Sequence, residues 1–487
     1  MTDTVLDAAP RPTLVLVIVS AAAFLSSLDL FIVNIAFPAI RTAFPGTDLA
    51  QLSWILNGYT VVFAAFLALA GRLADRYGHK RVFLVGLAVF TVASAACAAG
   101  PTVGAIIAAR AVQAVGAALV MPTSLSLLLT AYPADQRTRA VGTWASIGAV
   151  AAALGPPIGG LLVQASWHWV FLVNVPVGAV ALVAGARVLR ESTIARIGMP
   201  DLLGAVGLIV GVGALAWAFV RAPDTGWTDP EVLGGIAVAI LGLAWVVRRA
   251  RRHPVPALDL TVLRTPAIAL AGLAMLVFTA GFAAMLVVNV LFLTGTWGYS
   301  TQRAGLALAT GPLVVVVVSR LAGRLSNRIG IGAVAALGGT SYALGTLWWC
   351  LRLGTTPDYL TGMLPGYLCT GLGVGLILPT LSSSVGAALP AHQWGSGSSL
   401  INTARQIGAV LGVAVLVSII GSTTTGRPQD MALVRHGWTM LVVTGAATAV
   451  VALALAVLER RERNTTAPEP ADQATTVVVR ATVADEA

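Results

Sequence analysis

Gly71-Arg72-Leu73-Ala74-Asp75-Arg76-Tyr77-Gly78-His79-Lys80-Arg81 is the stretch whose reading decides the fold. Six ionisable side chains (Arg72, Asp75, Arg76, His79, Lys80 and Arg81) stand between two runs as apolar as a membrane interior. The pattern returns once: Ala70-Gly71-Arg72-Leu73, Arg76 and Gly78 are matched by Ala322-Gly323-Arg324-Leu325, Arg328 and Gly330, always 252 residues on. A repeat at that distance marks two copies of one membrane unit, as in transporters built from duplicated halves. Two halves that rock against each other are what alternating access needs.

Composition agrees. Of 487 residues 57% are hydrophobic and only 10% charged, against about 25% charged in soluble domains. The net charge of +10 does not point to nucleic acid, because the basic residues fall in short loops between apolar runs. Cys97, Cys350 and Cys369 are isolated and offer no disulfide framework.

Apolar runs long enough to span a bilayer lie near 13–40, 50–70, 81–99, 102–128, 140–163, 168–189, 201–220 and 231–248. Six more lie near 267–294, 303–321, 331–351, 358–381, 396–420 and 437–457. The second and tenth lead into the repeated loops. Only six spans, an inserted pair and six further spans put both loops after a second span. The expected divisions are therefore 1–190 and 261–460 for the six-helix halves, 191–260 for the inserted pair, and 461–487 for a disordered tail. With the N-terminus inside, 22 of the 30 Arg and Lys residues fall in inner segments and 6 in outer ones. The positive-inside rule then places both termini in the cytoplasm.

Nineteen of the twenty acids fall in loops, tails or span ends; Asp29 alone lies deep within a span. An ionised carboxylate there costs about 2.5–3.5 kcal/mol on insertion scales, so it is expected to face a cavity or a partner. A carboxyl in such a place can take up and release a proton; the alternative is a permanent structural salt bridge. Arg110 and Arg405 are the two intramembrane cations. Arg110 and Gln113 share a helix face, and Asn402, Arg405 and Gln406 form a similar polar face in the thirteenth span. These faces are expected on a central cavity, with Arg110 as the partner of Asp29, or else they join helices. The fifth span carries Gly142 and then Gly155-Pro156-Pro157-Ile158-Gly159-Gly160. Its prolines kink a helix and its glycines permit close packing, whether or not the bend moves.

The one lysine, Lys80, follows His79, so no phosphate-binding Gly-Lys-Ser/Thr loop exists. The five histidines lack metal spacing, and no local signature supplies a nucleophile with its base. The expectation is no metal, no cofactor and no enzyme chemistry.

These residues resemble the major facilitator superfamily, and within it the fourteen-span drug:proton antiporters, including methylenomycin-type resistance exporters of actinomycetes. Gly71 to Arg81 is similar to the superfamily loop motif GxLaDrxGrkr, and Leu28-Asp29 through Val33-Asn34 to Pro38 to the first-span motif LDxTIVNVALP. Arg110 to Gln113 resembles RxxQGxGAA, with Ala114 in place of a glycine. Gly155 to Gly160 resembles the antiporter motif ending GPxxGG, with Ala151 replacing one glycine; Asn402 to Gly408 is similar to a thirteenth-span pattern. The resemblance covers about residues 13–457. It implies an all-α polytopic protein with the major facilitator fold and fourteen transmembrane helices. It implies a cytoplasmic gate of Gly71, Asp75, Arg76, Gly78, Arg81, Gly323, Arg324 and Arg328, in which Asp75 locks the inner side by pairing with arginine and a helix terminus. Asp29 and Arg110 are expected to couple protons, and Asn34, Gln113, Asn402, Arg405 and Gln406 to line the substrate cavity.

The function expected is proton-driven export of a small amphipathic compound such as an antibiotic, from a monomer in the cell membrane. The fifth-span motif argues against the alternative, proton-coupled uptake of a metabolite. A membrane-bound enzyme or sensor would need a cytoplasmic site that the short inner segments do not hold. Because Asp29 is the only deep acid, dications are not expected as substrates.

Overall fold

The computed structural model describes residues 12–47, 49–191, 198–390, 393–420 and 431–466. A backbone in lipid must satisfy its own hydrogen bonds, and the apolar runs do so as helices. In chain order these are α1 (Pro12–Ala43), α2 (Leu49–Tyr77), α3 (His79–Ala98), α4 (Val103–Ala131), α5 (Ala134–Ala165), α6 (Trp169–Val188) and α7 (Leu202–Thr225). Then follow α8 (Pro230–Arg252), α9 (Pro266–Thr296), α10 (Thr301–Ile329), α11 (Ile331–Arg352), α12 (Tyr359–Ala388), α13 (Trp394–Ile420) and α14 (Met431–Thr466). No strand occurs among the described residues. α14 runs six residues into the stretch expected as a disordered tail, and 467–487 lie outside the described residues.

Twelve of these helices are long and apolar enough to cross a membrane among the described residues. α5 and α11 are the two outside that set, so fourteen spans are not all shown. In α11, Gly338 and Gly339 back onto α12 and α14, where an added Cβ would come within 2.7 Å of Ile377 and of the Ala449 backbone. Small residues of this kind let the backbones of neighbouring helices approach closely.

Helices α1–α6 pack among themselves, as do α9–α14, and the two groups meet along α2 with α13 and along α5 with α10. By the 252-residue repeat, α10 corresponds to α2, so these are two versions of one seam. The repeat extends to backbone detail. Gly78 and Gly330 join their helices at φ +99° and +97°, a conformation costly for any residue with a Cβ. Just beyond, Glu191 accepts hydrogen bonds from the backbone N–H of Lys80 and Arg81 at 3.0 and 3.2 Å. Glu459 does the same for the N–H of Gly332 at 3.2 Å. Each carboxylate returns from the end of its group's last helix to the N-terminus of its third, where a helix favours an anion.

The α7–α8 hairpin is fastened by Arg249 of α8, whose Nε and Nη2 donate to Asp201 at 3.0 and 2.7 Å. Asp201 also caps α7 through the N–H of Gly204. Burial pushes its carboxyl up, but the Arg249 fork and the Gly204 N–H hold it below the ordinary range. α7 packs against both α2 and α13, so this hairpin lies at a seam between the two groups.

Candidate functional site

Asp29 is fully buried in α1, and four other helices supply what surrounds it. Arg110 of α4 donates from Nη1 to Asp29 Oδ2 in a short ion pair. The same guanidinium donates to Gln113 Oε1 at 2.8 Å and, through Nε, to the Ile55 carbonyl of α2 at 3.2 Å. It lies 3.9 Å over the Tyr59 ring. Gln113 Nε2 donates to Asp29 Oδ1 at 2.9 Å and to Ser94 Oγ of α3 at 2.7 Å. Asn174, at the second turn of α6, donates to the same Oδ1 at 3.1 Å. A buried carboxylate is tolerable only when paired and hydrogen-bonded, and three donors here meet that need.

Neither Asn174 nor Ser94 is among the residues expected from the sequence. Asn174 carried a readable signal: it is a lone amide inside the apolar run Phe171-Leu172-Val173-Asn174-Val175. The criterion applied to Asp29 was charge, and an amide escapes it.

A cavity of about 1660 Å³ lies beside this cluster. Its walls come from α1, α2, α4 and α5 on one side and α9, α10, α12 and α13 on the other. Asn34, Asn402, Arg405 and Gln406 line it as expected, and so does Arg110. Gln113 does not. It is fully buried against Asp29 and Ser94, because helical spacing puts it on Arg110's face without saying that this face also meets α1 and α3. Asp29 likewise lies behind the wall, with Arg110 between it and the cavity.

The cavity extends to the end of the bundle that carries the repeated loops, reaching Gly71, Arg72, Asp75, Arg320 and Asp259. Asp75 is 3.5 Å from His79 Nε2 on its own chain segment. The expected pairing with arginine and a helix terminus is not the contact formed here, since the cavity occupies the space beside Asp75. Arg81 lies 3.7 Å from Glu191 and Arg76 stacks on Tyr77 at 5.5 Å. Gly71 and Gly323 have open space where a Cβ would point, and Arg324 and Arg328 are exposed. This end is unlocked.

The opposite end is shut by the fifth-span motif. Gly155 and Gly159 press on Phe31 and Ile35 of α1. A Cβ on Gly160 would lie 2.9 Å from the Gln302 Cα and the Thr301 carbonyl of α10, and one on Gly305 would strike the Pro156 carbonyl. Gln164 donates to Gln302 across the same contact. The motif is thus a backbone-to-backbone closure between the two helix groups. Gly142, also assigned to it, lies in the N-terminal half of α5.

A two-group helical bundle around a central cavity, closed at one end, is the architecture the loop repeat predicts, and the family model of that architecture matches residues 19–413. The chain belongs to the Major Facilitator Superfamily. Within that superfamily it is 34% identical to the methylenomycin A resistance protein of Streptomyces coelicolor, over 82% of this chain and 84% of that one. It is 35% identical to the cephamycin export protein CmcT of Amycolatopsis lactamdurans, over 86% of this chain and 87% of that one. The fold also matches the solved nucleoside transporter NupG with a TM-score of 0.67 at 11% identity, covering 91% of this chain and all of that one.

Proposed function

We propose that this major facilitator protein exports a small amphipathic compound, such as an antibiotic, in exchange for protons. The observation that carries the reading is the placement of Asp29: a carboxylate sealed behind Arg110 at the wall of a large, largely aliphatic cavity. Movement of Arg110 exposes the carboxylate to protons, and loss of the pair's charge alters the packing of five helices. Relatives at 34–35% identity are named for resistance and export, which supports export over proton-coupled uptake. The protein works as a monomer in the cell membrane, its substrate selected by apolar contact.

The topology proposed is fourteen spans, residues 1–190 and 261–460 forming the halves and 191–260 the inserted pair. Both termini face the cytoplasm, which makes the closed α5–α10 end the outer one and Gly71–Arg81 the inner gate. Asp75 engages its lock only when that gate closes.

Inside-out vesicles carrying the protein, energised with a proton gradient, are expected to accumulate an amphipathic dye and to release protons when dye is added. Accumulation that survives collapse of the gradient would sink the proposal. Single cysteines placed between 221 and 231 should react with an impermeant thiol reagent in intact cells, and one at Gln136 should not. The opposite labelling would reverse the orientation.

A further inference from the structure

We infer that the exported compound is an amphipathic organic anion, carrying a carboxylate, sulfonate or comparable acidic group, and that Arg405 binds that group. The inference rests on the export reading above and narrows it to a substrate class. Among the described residues six charged side chains line the cavity: Arg72, Arg110, Arg320, Arg405, Asp75 and Asp259. Arg110 is neutralised from behind by Asp29. At the gate, Asp75 and Asp259 offset Arg72 and Arg320. Burial pushes the Asp259 carboxyl up, but hydrogen bonds from Thr261 and the charge of Arg72 hold it below the ordinary range, so it stays ionised. Among these described residues one positive charge is left over, and it is Arg405.

Arg405 stands nine residues into the Ser396–Ile420 span, about 14 Å along the helix at 1.5 Å per residue. It makes no hydrogen bond or ion pair among the described residues. A cation at such depth normally has a partner, and a guanidinium offers a planar fork suited to carboxylate or sulfonate oxygens. A second observation points the same way. Asn57 of α2, the helix packed against α13, also lines the cavity, and its buried Nδ2 has no acceptor among the described residues. Unmet donors on two facing helices favour a ligand that brings acceptors. Export of an anion against an entering proton moves charge inward twice, so a negative interior would drive both halves of the exchange.

The test uses two probes of one ring system: 8-anilinonaphthalene-1-sulfonate, an anion, and N-phenyl-1-naphthylamine, its neutral counterpart. Binding to the purified, full-length protein and proton-driven uptake into inside-out vesicles are measured for both. Arg405→Gln is expected to weaken binding of the sulfonate by about 10- to 100-fold, the size of one charge-assisted contact. Binding of the neutral probe should stay unchanged, which also reports that the variant folds, and Arg405→Lys should retain most sulfonate affinity. Equal loss for both probes, or no loss for either, overturns the assignment. If proton-driven transport occurs but is blind to probe charge, the export reading stands and this one fails. If the sulfonate binds through Arg405 without proton-driven transport, this site stands and export fails.

Discussion

Asp29→Asn is expected to end uphill, proton-coupled efflux while leaving downhill movement of substrate measurable. The amide keeps the size of the carboxylate and some of its hydrogen bonds, but it can never carry a proton. The variant also leaves Arg110 buried against a neutral partner, and breaking a buried pair from one side costs about 3–5 kcal/mol. A lower unfolding temperature is therefore part of the expectation, and a control must separate it from the loss of coupling. Asp29→Asn combined with Arg110→Gln removes both charges; it should recover much of the thermal stability and none of the uphill transport. Arg110→Ala alone should fail in both respects, since it strands Asp29. Asp29→Glu keeps the carboxyl but pushes a methylene into a site closed by Gln113, Asn174 and Ser94, so partial activity with a displaced pH profile is expected. The measurements are substrate-induced proton release and efflux in energised vesicles, beside thermal unfolding. Uphill pumping with proton release by Asp29→Asn would defeat the mechanism, because no second acid lies deep in a span to take its place.

The parts of this site that were legible in the sequence are those where lipid makes a residue expensive. Asp29 and Arg110 stood out because each charge in an apolar run needs a reason, and the structure joins them directly. The same logic picked out Arg405. Gln113 was placed on the correct helix face but given the wrong neighbour, since helical period says which residues point together and not what they meet. Asn174 was missed because a neutral amide in a membrane helix is common as a helix-to-helix contact. Repeat reading showed the same limit. A fixed offset found Gly78 and Gly330, whose backbone conformation is shared, but not Glu191 and Glu459, which perform one task at positions 268 residues apart. The extra spacing comes from connections of unequal length, which a constant offset cannot follow. Counting spans is what sets the α7–α8 pair apart. Its seat against α2 and α13 depends on long-range packing and left no local mark.

Gly305→Leu is expected to abolish transport by a different route, holding the α5–α10 end of the bundle, the outer one in the proposed orientation, open. In the closed arrangement the Gly305 Cα faces the Pro156 carbonyl with no room for a Cβ, and Gly160 faces the Gln302 backbone in the same way. Backbone cannot step aside as a flexible side chain can, so a larger residue must separate α5 from α10. Overpacking of this kind costs about 1–3 kcal/mol, which moves a two-state equilibrium by about 5- to 150-fold. The cost applies only to the state in which these helices touch. The state open at the outer end should fold normally and gain population. A cysteine pair replacing Gln164 and Gln302, whose side chains meet across the closure, reports the contact by disulfide yield. A single cysteine at Asn402, on the cavity wall, reports access from outside. Gly305→Leu should lower the disulfide yield, raise external labelling at position 402 and stop efflux, with Gly305→Ala intermediate. Gly160→Leu should reproduce all three from the opposite helix. If Gly305→Leu keeps wild-type disulfide yield and efflux, the two glycines are not the closure, and the fifth-span motif must act within its own half through Gly155 and Gly159 on α1.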